Sequence, residues 1–436
     1  MYIITKNWTW CFNTGLSTRV TQCFCSISML PRTMPKRLLL LVGGSCLVVY
    51  TLYHLMTSSL APTDPRSGSG VSSGLSSPAS SQPSIQYDVC TNMKKFPADI
   101  ETVDTFSSLE LEPDWLERRE YWSNQMEDRF QRRKQLWPQV PLKVIVMPHS
   151  HNDPGWLKTI DGYFATATKS IITNIVDKLT ENKNMTFIWT EMSYLSLWWD
   201  SATEDLKGKM RTLISSGRLE IPTGGWVMTD EANVDLFSMI DQLVEGHSFL
   251  RSTFNVRPES SWSVDSFGHG GAFPNLLAKS GINNMVIMRI HYAWKEWMAK
   301  YQHGDFLWKQ AWEEDGSEAP LCHNFPYDIY SIKHSCGPHP QTCLGYDYRH
   351  VAGEYNEFSL HYTPIDASNV ESRAELLLEQ YGRTGSLFPH NVVLVPLGDD
   401  FRYSNAAEFD QQVINEKTNK KSMSICLPIK SKFILI

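Results

Sequence analysis

The chain has 436 residues and a formal net charge of −7, long enough for one large α/β domain with a substantial core. The mildly acidic balance gives no basis for nucleic-acid binding, and nine cysteines are too few for a disulfide scaffold and are not spaced as in a zinc finger. The 15 tryptophans and 17 tyrosines offer flat faces that suit sugar rings, although core packing is the commoner use of any one of them.

Residues 1–37 read as a cytosolic N-terminal tail, with a second methionine, Met34, just before Lys36 and Arg37. Leu38 to Met56 is an apolar run without a formal charge. About twenty apolar residues span a bilayer as a helix, and a cleaved signal peptide would have a shorter run ending at small residues. Residues 38–56 therefore predict one transmembrane signal-anchor helix. The basic pair on its N-terminal side keeps the tail cytosolic and sends the rest to the lumen. Residues 57–86, rich in Ser, Pro and Gly, read as a flexible stem, and 87–138 as a polar, helical preamble packed outside the main domain.

Short apolar runs then alternate with helical periodicity. Strands are predicted at Lys143–Met147, Phe187–Trp189, Leu219–Pro222, Trp262–Val264, Met285–Ile287 and Val392–Pro396. Phe164, Ile171, Ile172, Ile175, Val176 and Leu179 share one face of a helix. Leu206 to Ile214 form another that stops at Gly217, and Phe237, Ile240, Leu243 and Val244 a third. This alternation predicts an α/β domain over 139–416, a parallel-stranded (β/α) barrel-like sheet with helices outside. Asn184-Met185-Thr186 is a glycosylation sequon. A local Cys336–Cys343 disulfide is open in an oxidising compartment.

In such folds ligands bind beyond the C-terminal ends of the strands. Four strand ends carry acids or histidines: His149 to Trp156 after the first, Gly224 to Glu231 after the third, Asp265 to His269 after the fourth, and Asp399-Asp400-Phe401-Arg402 after the last. His151 and Asp153, two apart on one loop, form an imidazole–carboxylate pair suited to a divalent transition metal. They equally describe a solvated turn with a helix cap. Asp265 and Asp400 are the candidate carboxylate pair of a glycosidase. Read otherwise, Asp265 makes an Asx turn, and Asp399-Asp400 a solvated loop with Arg402 as counter-ion.

His149-Ser150-His151-Asn152-Asp153-Pro154-Gly155-Trp156 resembles the opening signature of glycoside hydrolase family 38, the class II α-mannosidases. Gly224 to Met228 with Asp230-Glu231-Ala232, Trp262 to His269, and Leu397 to Tyr403 resemble three further blocks in the same order. Anchor, stem and luminal domain resemble the Golgi branch of the family rather than the soluble lysosomal one. The resemblance implies a retaining, zinc-dependent hydrolase that removes terminal α1,3- and α1,6-linked mannose from N-glycan intermediates. It would be a single-pass type II protein of the Golgi membrane, and a homodimer is compatible with this. It implies one Zn2+ held by His151, Asp153 and Asp265, with Asp265 also the nucleophile and Asp400 the general acid and then base. Trp156, Arg289, Tyr330 and Asp399 would line the sugar site, and Cys336 and Cys343 would pair.

The sequence departs from the family pattern in places. Thr229 and Ser266 stand where proline is usual, Asp235 where histidine is usual, and Ser331 where an aspartate follows Tyr330. A further family zinc ligand, a histidine well beyond Asp400, is not reached before Ile436, and residues 417–436 read as a divergent tail. The tail predicts a truncated product, so an inactive glycan-binding remnant is one alternative. Another is a metal-dependent polysaccharide deacetylase, which needs no carboxylate nucleophile and forms no glycosyl adduct.

Overall fold

The computed structural model describes residues 98–109, 111, 122–310, 312, 318–349 and 359–412. The expected tail 1–37, anchor 38–56, stem 57–86 and divergent tail 417–436 lie outside the described residues. Among the described residues no helix is long and apolar enough to cross a membrane.

Eight short strands occur in the described residues: β1 Lys143–Pro148, β2 Phe187–Ile188, β3 Leu219–Glu220, β4 Ser260–Ser263, β5 Asn284–Ile287, β6 Asp305–Leu307, β7 Leu321–Asn324 and β8 Val392–Leu397. β1 runs parallel to β8, from Lys143 opposite Val392 to Pro148 opposite Leu397. β2 is parallel to β3, and β5 lies parallel between β4 and β7. A bridge from His149 to Ile188 joins β1 to β2. The Thr223 amide donates to the Ser260 carbonyl (2.7 Å), tying the chain after β3 to β4. The result is an arc of parallel strands in the order β8-β1-β2-β3-β4-β5-β7, with helices in most of the connections.

One strand corrects the all-parallel expectation. β6 lies antiparallel on the edge of β7, and the described residues between them form no helix of the kind a parallel crossover uses. No strand pairing links β7 to β8 among the described residues. Side chains span that gap instead. His323 Nδ1 and His390 Nε2 contact the two oxygens of Asp305 at 2.6 and 2.7 Å, and Gln302 donates to the Phe388 carbonyl at 2.7 Å.

The two-residue period of the strands divides the core. Ile145 and Met147 on β1, Val286 on β5 and Leu394 on β8 turn inward, where they meet Trp262, Val264, Met288, Phe325 and Tyr330. Val144, Val393 and Val395 turn outward onto Leu377, Tyr381 and the two cysteines. Strands covered on both faces read as continuous apolar runs, which is why β1 and β8 were legible.

The main helices are α1 Asn124–Lys134, α2 Lys169–Glu181, α3 Met192–Ser201, α4 Glu204–Ser215, α5 Leu236–Phe254, α6 Ala272–Lys279, α7 Tyr292–Tyr301 and α8 Val370–Gly385. The predicted stripe of α2 is buried from Ile171 to Leu179, while Phe164 sits in a preceding π turn and is only partly buried. α4 is followed by Gly217 at φ +69°, the left-handed stop expected there. α5 touches the loop after β3 backbone to backbone: a Cβ on Gly246 would lie 2.1 Å from the Gly224 carbonyl oxygen. α1 packs outside the domain on α8, with Phe130 fully buried and Arg383 donating to both carboxylate oxygens of Glu127. Cys336 and Cys343 stand with Cα atoms 5.4 Å apart, within disulfide range.

Candidate active site

The inward row of β1 continues past the strand through His149 to His151. His149 is the floor of the site. Its ring lies 5.2 Å from that of Trp262 and 5.9 Å from that of Tyr330, and burial, with the nearby His151, pushes its pKa down to about 3. The chain after β8 stays in register with this extension: the His151 amide donates to the Asp399 carbonyl (3.1 Å) and the Phe401 amide to the His151 carbonyl (2.8 Å). So close an approach requires glycine at 398, where an added Cβ would lie 1.9 Å from the His149 carbonyl oxygen.

Three side chains from two strand ends meet above this floor. His151 Nε2 lies 3.0 Å from Asp153 Oδ1 and 3.3 Å from Asp265 Oδ2. One donor atom from each of the three residues falls within 4.8 Å of the others. Burial alone would lower the His151 pKa. Its bonds to Asp153 and Asp265, with the charge of Glu191, outweigh that and hold it well above the usual range. One imidazole nitrogen and two carboxylate oxygens, gathered at one point, are a ligand set that suits zinc.

Asp265 is gripped from the other side. Arg289 donates from Nε to Oδ1 (2.7 Å) and pairs through Nη2 with the same oxygen. Burial would raise the Asp265 pKa, but His151 and Arg289 hold it below the ordinary carboxylate value. The Arg289 guanidinium also stacks at 4.4 Å over Phe267, so this expected sugar contact is first of all the partner of Asp265.

Asp400 meets the site from β8. It forms a bridge pair with His151 and accepts the Tyr330 hydroxyl at 2.5 Å. Its pKa is raised, chiefly by burial and further by the charges of Asp153 and Asp265, against the opposing pull of Tyr330 and His151. Asp399 accepts the Asp400 amide (2.9 Å) and is likewise raised, mainly by burial. Trp156, after Gly155 at φ +100°, is 61% exposed on the same loop as Asp153. The structure thus brings His151, Asp153, Asp265, Asp400, Arg289 and Tyr330 together, while Asp399 is tied to them through the Asp400 amide and Trp156 stands exposed on the loop of Asp153.

Other residues picked from strand ends do structural work instead. Glu231 is buried and accepts from Ser263 Oγ (2.7 Å) and the Gly270 amide (3.0 Å), with His269 Nδ1 at 3.1 Å. It therefore clamps the loop that carries Asp265. Asp230 accepts from Asn233 in an exposed turn. Arg402 forms its ion pairs with Asp347 (2.6 Å) and Glu408 (2.9 Å), between which it is buried, and only its charge reaches Asp399, where it opposes the rise caused by burial.

The departures from the family pattern mostly find local partners. Ser266 Oγ donates to the Thr229 carbonyl (2.6 Å) and pairs with Ser263 Oγ, while Thr229 Oγ1 accepts from Gln242 (2.7 Å). The two hydroxyls that stand where prolines are usual thus share one buried, bonded network. Asp235 caps α5, accepting the Phe237 and Ser238 amides at 3.0 and 3.1 Å. Nothing in the structure explains Ser331.

Two residues at the site escaped the sequence reading. Phe267 forms the exposed wall over Arg289. Glu191, just past β2, is fully buried with Oε1 3.9 Å from His151 Nδ1, and burial raises its pKa to about 7. The signal for Glu191 was the one used elsewhere, an acid at a strand end.

Residues 141–430 match the "Glycosyl hydrolases family 38 N-terminal domain", running past the expected boundary at 416. The chain is 49% identical over 328 residues to "Alpha-mannosidase 2" of Spodoptera frugiperda, covering 75% of this chain and 29% of that protein. It is 45% identical over 281 residues to "Alpha-mannosidase 2" of Homo sapiens, covering 64% and 25%. The chain therefore spans less than a third of the length of these relatives. Among solved structures, an alpha-mannosidase from Enterococcus faecalis aligns with a TM-score of 0.45 at 15% identity, covering 63% of this chain and 27% of that one. With well over half its length matched to that domain, the chain belongs to glycosyl hydrolases family 38.

Proposed function

We propose that this chain carries the catalytic domain of a retaining, zinc-dependent α-mannosidase that removes terminal α1,3- and α1,6-linked mannose from N-glycan intermediates. The observation that carries this reading is a pair of aspartates beside one histidine with opposed acidities: Asp265 held ionised by His151 and Arg289, and Asp400 raised by burial. Two carboxyl groups pushed apart in this way divide into nucleophile and acid.

In the first half-reaction an Asp265 oxygen attacks the anomeric carbon. The bond to the leaving sugar's oxygen breaks, and that oxygen takes the proton of Asp400. In the second, Asp400 removes a proton from water, the water oxygen attacks the same carbon, and the bond to Asp265 breaks to release mannose with its configuration retained. Tyr330 orients Asp400, Arg289 steadies Asp265, and Trp156 offers an aromatic face to the ring. Zinc held by His151, Asp153 and Asp265 would supply a fixed positive charge for the hydroxyls of the bound hexose. The names of the relatives support mannose as the sugar.

The test is mechanism-based trapping. Zinc-loaded protein is treated with a fluorinated α-mannosyl fluoride and digested for mass spectrometry. A mannosyl adduct on Asp265 is expected; its absence in protein of verified zinc content overturns the reading. Release of mannose from a hybrid N-glycan, followed by mass, tests the linkage choice.

The same reading puts residues 38–56 across a Golgi membrane, with the domain in the lumen. Resistance of the chain to carbonate extraction, together with protease protection of its domain, would support this. Release into the soluble fraction would count against it.

A further inference from the structure

The two ring nitrogens of His151 face different surroundings. Nε2 faces Asp153 Oδ1 and Asp265 Oδ2 at 3.0 and 3.3 Å. Nδ1 faces Glu191, whose Oε1 lies 3.9 Å away. Both side chains are buried, and among the described residues neither His151 Nδ1 nor Glu191 Oε2 has a hydrogen-bond partner. The unpartnered Nδ1 thus lies near the Glu191 carboxylate without being bonded to it: Oε1, at 3.9 Å, is beyond hydrogen-bond length and already accepts the Thr190 hydroxyl, while Oε2 is left without a partner.

The setting of Glu191 argues against a purely local role. It precedes α3, yet its side chain makes no capping bond to that helix. Its carboxylate is fixed instead by the Thr190 hydroxyl (2.7 Å), and its carbonyl accepts Trp189 Nε1 (2.9 Å). One turn on, the Tyr194 hydroxyl donates to the Asp153 carbonyl (2.7 Å). The start of α3 therefore touches both members of the His151–Asp153 pair.

A neutral imidazole carries one proton, and only the nitrogen without it can bind a cation. We propose that Glu191 is a positioning residue: by accepting the Nδ1 proton of His151 it selects the tautomer that leaves Nε2, the nitrogen facing Asp153 and Asp265, free for a divalent metal. This rests on the metal reading given above. A carboxylate behind a ligating histidine orients the ring and raises its basicity, and its loss typically costs about 10–100-fold in metal affinity.

The experiment measures Zn2+ affinity of the full chain by competition with a chromophoric chelator, for wild type, Glu191→Gln and Glu191→Ala. Wild type binds one ion. Glu191→Gln, which keeps an acceptor oxygen, stays within about threefold of it, and Glu191→Ala binds about 10–100-fold more weakly. The visible spectrum of the Co2+-substituted protein changes only for Glu191→Ala. Thermal melts of the metal-free proteins serve as the fold control. Equal affinity in all three overturns the proposal, as does a Gln variant as weak as the Ala variant. Should Glu191→Ala fail to fold, the 15N shifts of His151 in zinc-loaded wild type decide: metal on Nε2 with a protonated Nδ1 is expected, and metal on Nδ1 refutes it. Failure of wild type itself to bind zinc removes the metal reading, and this inference with it.

Discussion

His151 and Asp400 are bridge partners, paired in parallel just beyond the last ladder position of β1 and β8. Backbone register, rather than side-chain reach, thus brings the carboxyl proposed as acid to the imidazole proposed as metal ligand. The pairing depends on Gly398, whose missing side chain lets the two strand ends touch. Gly398→Ala has no flexible neighbour to displace, because the obstructing atom is the backbone oxygen of His149. The expected result is a loss of about 1–3 kcal/mol in stability. A larger proportional loss of kcat/KM is expected, since a misplacement of about 1 Å at reacting groups can cost about a hundredfold. Urea titration and steady-state kinetics on an aryl α-mannoside check both, and a stable variant with full activity would contradict the register argument.

The opposed acidities of Asp265 and Asp400 predict a bell-shaped pH profile with separately movable limbs. Asp400 must carry a proton, so activity falls as pH rises through its pKa. The Tyr330 hydroxyl stabilises the carboxylate and lowers that pKa. Tyr330→Phe should therefore move the basic limb to higher pH. Asp265 must be ionised, so activity appears as pH rises through its pKa. Arg289 lowers that pKa, and Arg289→Met should move the acidic limb upward. Asp400→Asn should lower kcat by about 10²–10⁴-fold. A Tyr330→Phe profile whose basic limb stays in place would separate Tyr330 from the acid.

How much of this was legible follows from strand length. β1 and β8 are six-residue apolar strands leading directly into His149-Ser150-His151 and Gly398-Asp399-Asp400, so both strands and site residues could be read. β2 has two residues and β6 three. Such runs are too short for a period: β6 was missed, and β2 was read only as the apolar run Phe187–Trp189, without Glu191 two residues beyond it. Glu231 was legible as an acid near a strand end, but sequence does not give the direction of a side chain, and this one turns toward Ser263 and the Gly270 amide. Arg402 finds its partner in Asp347, 55 residues earlier, a distance at which no local pattern operates.

Cys336 and Cys343 are expected to form an oxidised pair in the luminal compartment proposed for this domain. Both are buried against Val144, Tyr346 and Val393. Closing so short a loop gains about 2–3 kcal/mol in the chain-entropy account. A Cys336→Ser, Cys343→Ser double variant should lose at least that in urea titration, because it also buries two hydroxyls. Non-reducing peptide mapping that recovers both thiols free from protein expressed through the secretory pathway would exclude the pairing.

Asp305 predicts a pH dependence of stability distinct from that of activity. It joins His323 on β7 to His390 before β8, across the gap that strand pairing leaves open among the described residues. Burial alone would raise its pKa. The contacts and charges of His323 and His390 outweigh that and hold the carboxyl well below the usual range. A carboxyl depressed in the folded state contributes stability that is complete above its unfolded value, about 3.9, and is lost as pH falls through the lower folded value. Asp305→Asn keeps one acceptor oxygen for two imidazoles and should cost about 1–3 kcal/mol at neutral pH. The difference from wild type should narrow as the pH is lowered below about 4. Urea titrations of both proteins at pH 7 and pH 3 measure it; a difference that stays constant across that range would mean that the contribution of Asp305 is packing rather than charge.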